Sequence, residues 1–173
     1  MGRSPGAVRA ALALVLATLP VSLIAQLPTW VVEPGAGPVL EELWRESVAA
    51  RAERVACLGG VVGRDTVRIT SAEPLPLEGA DSLHAHAAAS VARCGPPRWI
   101  GTAHTHVRST DDPEPAGRFS PGDRAVMSEW SRRWGRAGAF CVLYSPKAAH
   151  CEVYPAARPA RAVPAPEGGR GPG

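Results

Sequence analysis

Two histidines separated by one residue close a short apolar run, Trp99-Ile-Gly-Thr-Ala-His-Thr-His106. Such a run predicts a β-strand, and because side chains alternate between the two faces of a strand, His104 and His106 would point the same way. Two imidazoles on one face can hold a divalent metal, and a carboxylate completes many hydrolytic zinc sites, which keep one position open for water. Ser120-Pro-Gly-Asp123 offers that carboxylate at the start of a predicted helix. The sequence therefore predicts a metal site of His104, His106 and Asp123.

Length and composition indicate one domain with tails. The chain has 173 residues, of which 45% are hydrophobic, and this is enough to form a core. Gly and Pro number 18 each and are concentrated towards the two ends, which sets the ends apart from the middle. The net charge of +3 comes largely from scattered arginines, several of them in the tails. We therefore predict no nucleic-acid-binding surface.

The two ends of the chain predict export and a disordered tail. Residues 1–25 combine arginines, an apolar run and small residues near Ala25, the order typical of a secretory signal peptide. The competing interpretation is an uncleaved N-terminal anchor, since the apolar stretch approaches the ~20 residues that span a bilayer, but Pro20 and the short length favour cleavage. In either case we expect an exported protein, periplasmic or extracellular, with membrane contact only through an uncleaved segment. Residues 26–37 form a predicted linker, and residues 156–173, rich in Pro, Ala and Gly, form a predicted disordered tail.

Hydrophobic periodicity between these ends predicts one α/β domain. Apolar residues at three- and four-residue steps predict amphipathic helices, and short apolar runs between turn residues predict strands. Gly59, Gly60 and Gly63 are predicted to form a turn between two strands. The predicted order is a helix at about 38–51, strands at 55–58 and 67–70, a loop at 72–80, a short helix at about 81–91, a strand at 98–105, a loop at 107–119, a helix at 121–134, and strands at 139–144 and 151–154.

Other side chains compete with the predicted ligands. Ser120-Pro-Gly-Asp123 alone has a simpler interpretation, because Ser at the N-cap, Pro at the first helical position and an acid three residues after the cap are typical of a helix start. His84-Ala-His86 is a second His-x-His, but in a helix its imidazoles would face different sides, so we expect surface residues. Alternative carboxylate ligands lie in the loop before the last helix: Asp111, Asp112 and Glu114.

Three motifs in a set order resemble those of the JAMM (JAB1/MPN/Mov34) metalloproteases. They are Glu53-Arg-Val-Ala-Cys-Leu-Gly-Gly60, then His104-Thr-His106, then Ser120-Pro-Gly-Asp123. The family's pattern is a glutamate at the end of the first helix, just before an apolar strand that closes in glycine, then His-x-His, then Ser-x-x-Asp. The resemblance covers residues 38–155 and implies a single MPN-like domain with a twisted mixed β-sheet flanked by helices. Val107 stands where the family often has proline, and the loop before Ser120 is longer than usual.

The resemblance also implies a role for each residue. His104, His106 and Asp123 would bind Zn²⁺, and the residual positive charge of that site would lower the pKa of bound water towards ~7. Glu53 would accept the water's proton and later pass it to the leaving amine. Ser120 would donate a hydrogen bond to the developing oxyanion. The implied activity is hydrolysis of a peptide or isopeptide bond in a peptide or protein substrate.

Two other functions stay open from the sequence alone. One is a catalytically inactive MPN-like interaction module, and the other is an unrelated metal-dependent hydrolase with a His-x-His strand. Glu53 also fits a solvated acid at a helix end, with Glu46 and Glu42 as rivals for the general base. Nothing in the sequence indicates the substrate, the oligomeric state or whether the 107–119 loop covers the site.

The cysteines predict disulfides without choosing their pairing. No two of the four form a Cys-x-x-Cys pair, so a structural thiolate zinc site is not predicted. Outside the cytoplasm an even number suggests disulfides, with three pairings open. Cys57 and Cys141 fall in predicted interior strands, where a buried free thiol is the competing interpretation. The four residues are Cys57, Cys94, Cys141 and Cys151.

Overall fold

A computed structural model describes residues 27–76, 89–107 and 117–157 of the chain. Six strands in these ranges form one sheet, flanked by two helices of fourteen residues each. The elements are β1 (Thr29–Val32), α1 (Gly37–Ala50), β2 (Val55–Val62), β3 (Thr66–Pro74), β4 (Gly101–Thr105), α2 (Pro121–Trp134), β5 (Gly138–Ser145) and β6 (Ala148–Tyr154).

The sheet is mixed, with strand order β1-β3-β2-β4-β5-β6. The pairs β1–β3 and β4–β5 are parallel, and the other three pairs are antiparallel. This confirms the prediction of one α/β domain in which a mixed sheet is flanked by helices. The strand that carries the two histidines, β4, lies in the interior of the sheet, so it is held by partners on both sides.

One face of the sheet packs against α1 in an apolar core. Leu40 and Leu43 lie three residues apart on α1, so both face the sheet. They form one buried cluster with side chains from three neighbouring strands, among them Leu58, Ala103 and Leu143. Each fully buried leucine of this kind contributes about 1.5–3 kcal/mol through loss of apolar surface to water.

The opposite face packs against α2. This second cluster combines helix and strand side chains: Val91, Phe119, Met127, Trp130, Phe140 and Val142. The indole Nε1 of Trp130 donates to the carbonyl of Cys94 at 2.8 Å, and that of Trp134 donates to the carbonyl of Val91 at 3.0 Å. These bonds fix α2 to residues 89–93, which are helical, and to the chain that follows them.

The predicted linker contains a strand. Thr29–Val32 lie within residues 26–37 but pair in parallel with β3 as the edge strand β1. Its four residues show no clean alternation of burial, and its partner lies far along the chain, so no local pattern identified it.

The predicted glycine turn is wrong in part. Gly59 and Gly60 lie inside β2, where the register with β3 shifts, and the chain turns later, around Gly63. Gly60 has a φ of +149°, and a Cβ there would lie 1.9 Å from the carbonyl oxygen of Arg68. Glycine is needed at this position because the strands approach too closely at the bulge for a side chain.

Several predicted segments lie outside the described residues. They include the proposed signal peptide, most of the predicted helix at 81–91 with His84 and His86, and most of the loop with Asp111, Asp112 and Glu114. The predicted loop at 72–80 begins later than expected, because β3 continues to Pro74.

Across the described ranges, the helices are too short or too polar to cross a bilayer.

Two disulfides join all four cysteines. Cys57 on β2 is bonded to Cys94, which follows the helical residues 89–93. Cys141 and Cys151 face each other across the β5–β6 ladder and form the second bond. The pairing left open by the sequence is therefore resolved, and the alternative of buried free thiols is wrong.

Candidate metal centre

The three predicted ligands converge at the end of β4. The Nε2 atoms of His104 and His106 lie 3.1 Å apart, as expected for two residues on one face of an extended chain. Asp123 in the first turn of α2 places Oδ1 at 3.2 Å from Nε2 of His104, and Oδ2 at 3.5 Å from Nε2 of His106. A strand end and a helix start thus bring donors from distant positions in the chain within 4.8 Å of one another.

The spacing of these donors fits a zinc ion. In a tetrahedral site with metal–ligand distances of about 2.0–2.1 Å, the ligand atoms lie about 3.3 Å from one another. The three observed separations are 3.1, 3.2 and 3.5 Å. The side chains are 13–20% exposed, so the centre is sheltered from solvent without being sealed. Two imidazoles and one carboxylate are a donor set used by Zn²⁺, and imidazole also suits other divalent metals.

Asp123 is held in place by the start of α2. The backbone N–H of Ser120 donates to Oδ2 of Asp123 at 2.6 Å, and the N–H of Asp123 donates to the Ser120 hydroxyl at 3.1 Å. This reciprocal pair is a capping box, so the simpler interpretation of Ser120-Pro-Gly-Asp123 as a helix start is correct. It does not exclude a metal role, because the same carboxylate also faces both imidazoles.

The electrostatics of the site keep Asp123 ionised. Burial by itself raises the pKa of this carboxyl, but hydrogen bonds with His104, His106 and Ser120 outweigh burial and lower the pKa well below its ordinary value of 3.8. An ionised carboxylate between two imidazoles is suited to a cation.

Glu53 shares a pocket with two of the ligands. It lies between α1 and β2 and lines the same space as His104 and Asp123. Burial raises the pKa of Glu53 above its ordinary value of 4.5, an effect that the nearby His104 and His106 oppose. A carboxylate with a raised pKa is a stronger proton acceptor than one in water.

The rival glutamates lie elsewhere. Glu42 forms an exposed ion pair with Arg45 at 2.6 Å, and Glu46 is exposed on α1. Neither lines the pocket that contains Glu53. Of these three acids, the structure therefore brings Glu53 to the candidate centre.

Thr105 lies between the two histidines, so its side chain points to the other face of the sheet, towards α1. It is fully buried. Its hydroxyl accepts the Arg54 N–H at 2.9 Å and lies 2.5 Å from the Ser47 hydroxyl. Ser47 donates to the carbonyl of Ala52 at 2.6 Å, so the Thr105 hydroxyl is the donor to Ser47. This network, which we call the hydroxyl clamp (Ser47 and Thr105), fixes the backbone beside Glu53 relative to β4.

Sequence reasoning missed the hydroxyl clamp, although a signal for it exists. Ser47 lies four residues after Leu43 and seven after Leu40, so it occupies the apolar stripe of α1. Thr105 occupies the inward-facing position between two ligands. A polar residue at a core position of both elements indicates a buried hydrogen bond between them.

An apolar pocket extends from the candidate centre between α2 and the sheet. Its volume is about 500 Å³, counting the part open to solvent. Besides Glu53, His104 and Asp123, its lining includes two hydroxyl side chains, Ser90 and Thr102. The remaining lining residues are apolar and define what we call the apolar pocket: Val55, Phe119, Val126, Met127 and Phe140.

Phe119 lies between two histidines, His104 and His150. Its ring centroid lies 5.9 Å from that of His104 and 5.6 Å from that of His150. His150 is partly buried and lies 3.0 Å from Oε1 of Glu152. Arg124 donates to both oxygens of Glu152, at 2.9 and 3.0 Å, so α2 and β6 are joined next to the candidate centre.

Among solved structures, the chain is similar to a JAB1/MPN domain protein from Archaeoglobus fulgidus, at 17% identity and a TM-score of 0.40, over 71% of this chain and 88% of that chain. It is also similar to a protein from Desulfitobacterium hafniense, at 17% identity and a TM-score of 0.41, over 72% of this chain and 82% of that chain. No protein-family model and no curated protein matches the sequence. The interpretation of the candidate centre as a metal site depends on the side chains of this chain and not on these neighbours.

Proposed function

We propose that this chain is a zinc-dependent metallopeptidase of the JAMM type that hydrolyses a peptide or isopeptide bond. The observation that carries the proposal is the convergence of His104, His106 and Asp123, two of which, His104 and Asp123, share a pocket with Glu53. The order of the three sequence motifs supports the same activity. A zinc ion bound there would supply Lewis acidity, which lowers the pKa of water and polarises a carbonyl.

In this proposal Glu53 moves the proton. Its raised pKa increases its affinity for the proton that water gives up, and it then delivers that proton to the leaving amine. The hydroxyl clamp fixes the adjoining Arg54 backbone through the 2.9 Å bond to Thr105, so Glu53 is presented from a rigid junction. Rigid placement matters because proton transfer requires hydrogen-bond distances between the groups.

Ser120 has two compatible roles in this proposal. Its oxygen accepts the Asp123 N–H as the N-cap of α2. A hydroxyl that accepts one hydrogen bond still carries a proton to donate, and Ser120 would donate it to the oxyanion that develops on the substrate. Removal of one oxyanion donor typically lowers kcat by about 10²–10³.

The test combines metal analysis with peptide hydrolysis in three variants. Wild type is expected to bind one zinc per chain and to cleave peptides from a mixed library. His104→Ala should lose both properties, whereas Glu53→Gln should keep zinc and lower kcat by about 10²–10⁴. Glu46→Gln is the matched control, because Glu46 is exposed on α1, and it should behave as wild type.

The alternatives give different results in the same experiment. A protein that never takes up metal indicates an interaction module. A zinc-bound protein whose hydrolysis survives Glu53→Gln indicates an unrelated metal-dependent hydrolase. Either outcome contradicts the proposal.

We also propose that the protein functions outside the cytoplasm. The two disulfides support this, because disulfides persist mainly in oxidising compartments. Protein recovered from the periplasm or medium should begin at Gln26 if the N-terminal segment is cleaved. Recovery from the cytoplasm with reduced cysteines would contradict export, and a membrane-bound chain that retains Met1 would indicate an anchor.

A further inference from the structure

We infer that the apolar pocket receives an uncharged, apolar side chain of the substrate residue next to the cleaved bond. The inference rests on the proposed function and adds a substrate class to it. The preferred substrates are then peptides with a residue such as leucine or methionine at that position.

The first support is continuity between the apolar pocket and the candidate centre. Thr102 and His104 lie two residues apart on β4, so both face the same side of the sheet and line the same space. Glu53 and Val55 are related in the same way on the chain that enters β2. The ligand side chains and the apolar walls therefore border one continuous space, and a side chain next to a carbonyl at the centre has direct access to the apolar walls.

The second support is the chemistry of the lining. Apart from Glu53, His104 and Asp123, no described lining residue carries a charge. Met127 and Phe140 are only 1% and 2% exposed, so the inner wall consists of buried apolar side chains. A charged side chain placed there would lose its hydration without gaining a partner, whereas an apolar side chain would lose unfavourable contact with water.

The third support is shape. The pocket is concave, with walls from both α2 and the sheet. Val126 on α2 is partly exposed and lines the space, so it lies where an entering side chain would pass. A flat apolar surface would have accepted many side chains equally, but a bounded pocket discriminates by size and charge.

The first experiment measures binding of N-acetylated amino acid hydroxamates to the zinc-loaded protein by calorimetry. The hydroxamate anchors each probe at the metal, so the glycine, leucine and aspartate forms differ only in the side chain presented to the pocket. The leucine probe should bind at least about 10-fold more tightly than the glycine and aspartate probes. Tight binding of all three with equal affinity overturns the pocket inference alone. Failure of all three to bind overturns the proposed function and the pocket inference with it.

The second experiment changes the preference for the leucine probe with one substitution in the pocket. Val126→Lys places an ammonium group at the pocket and should abolish the leucine advantage and strengthen aspartate binding, with the zinc content unchanged. Val48→Lys makes the same change on α1, where Val48 is 50% exposed, and should retain the leucine preference. Val126→Thr, which keeps the shape of valine, should reduce the leucine advantage with less risk to folding. Unchanged probe preference in both folded Val126 variants overturns the inference.

Discussion

The two faces of the sheet differ in what they do with polar groups. On the α1 face, the buried hydroxyls of Ser47 and Thr105 satisfy each other and the neighbouring backbone. On the α2 face, His104, Asp123 and Glu53 gather around a pocket. Buried ionisable groups that face a cavity oppose folding unless a partner compensates them. Both faces contain a buried apolar cluster, but only the α2 face also holds the ionisable side chains of the candidate metal centre, at a cost to stability.

The largest expected effect is a difference between the two faces in how much a core substitution lowers the free energy of unfolding. Leu58→Ala on the α1 face should lower the free energy of unfolding by about 3–5 kcal/mol, because the closed cluster cannot fill the space. Met127→Ala should lower it by about 2 kcal/mol, since its side chain already borders a pocket. The two residues are matched at 0% and 1% exposure. Urea denaturation of both variants gives the difference, and equal losses would break the comparison.

The next effect concerns the two roles of Asp123. Asp123→Asn and Asp123→Ala should each weaken zinc affinity by at least about 100-fold, because the charged ligand is lost. Only Asp123→Ala should also destabilise the protein, by about 0.5–2 kcal/mol, since asparagine can still accept the Ser120 N–H. Competition with a zinc chelator measures affinity, and thermal unfolding of the metal-free forms measures stability. Equal melting temperatures for the two variants would show that the capping box contributes little.

The hydroxyl clamp should link the α1 face of the sheet to the candidate centre on the α2 face. Thr105→Val removes the acceptor for the Arg54 N–H and should cost about 1–3 kcal/mol. If the clamp positions Glu53, the variant should lower kcat while KM and zinc affinity stay unchanged, and Thr105→Ser should restore kcat. Unaltered kcat in folded Thr105→Val would limit the clamp to stability.

The smallest effect lies at the surface bond between α2 and β6. Hydrogen bonds from Arg124 lower the pKa of Glu152 below its ordinary value of 4.5, and the nearby His150 acts in the same direction. A lowered pKa in the folded state means that the contribution to stability is present above pH 4.5 and is lost as the pH falls through the folded pKa. Glu152→Gln should therefore lower the melting temperature slightly at neutral pH, and the difference from wild type should disappear in acid. Glu41→Gln, at an exposed position of α1, is the control and should show no such pH dependence.

Local patterns predicted the parts of this molecule whose causes are local. The two main helices follow from their apolar spacing, and the Ser120 N-cap of α2 follows from residue type. That His104 and His106 point to the same side follows from the alternation of side chains along an extended chain.

The features that the sequence did not predict depend on contacts between distant segments. β1 exists because β3 offers it a parallel edge, and Gly60 is needed because Arg68 approaches it across the bulge. The bond between Cys57 and Cys94 links positions 37 residues apart, and spacing alone does not select it. The apolar pocket draws its walls from several separate elements, so no single stretch of sequence contains its signal.

The alternation along β4 also restricts how this protein can change during evolution. Insertion or deletion of one residue within Gly101–Thr105 would exchange the two faces beyond that point. The imidazoles would then point into the apolar core between the sheet and α1, and Thr105 would face the α2 side in their place. Loss of the candidate centre by such a register shift would therefore also unfold the domain, so descendants of this chain that lose the candidate centre are expected to do so by replacing side chains while the length of this strand stays constant.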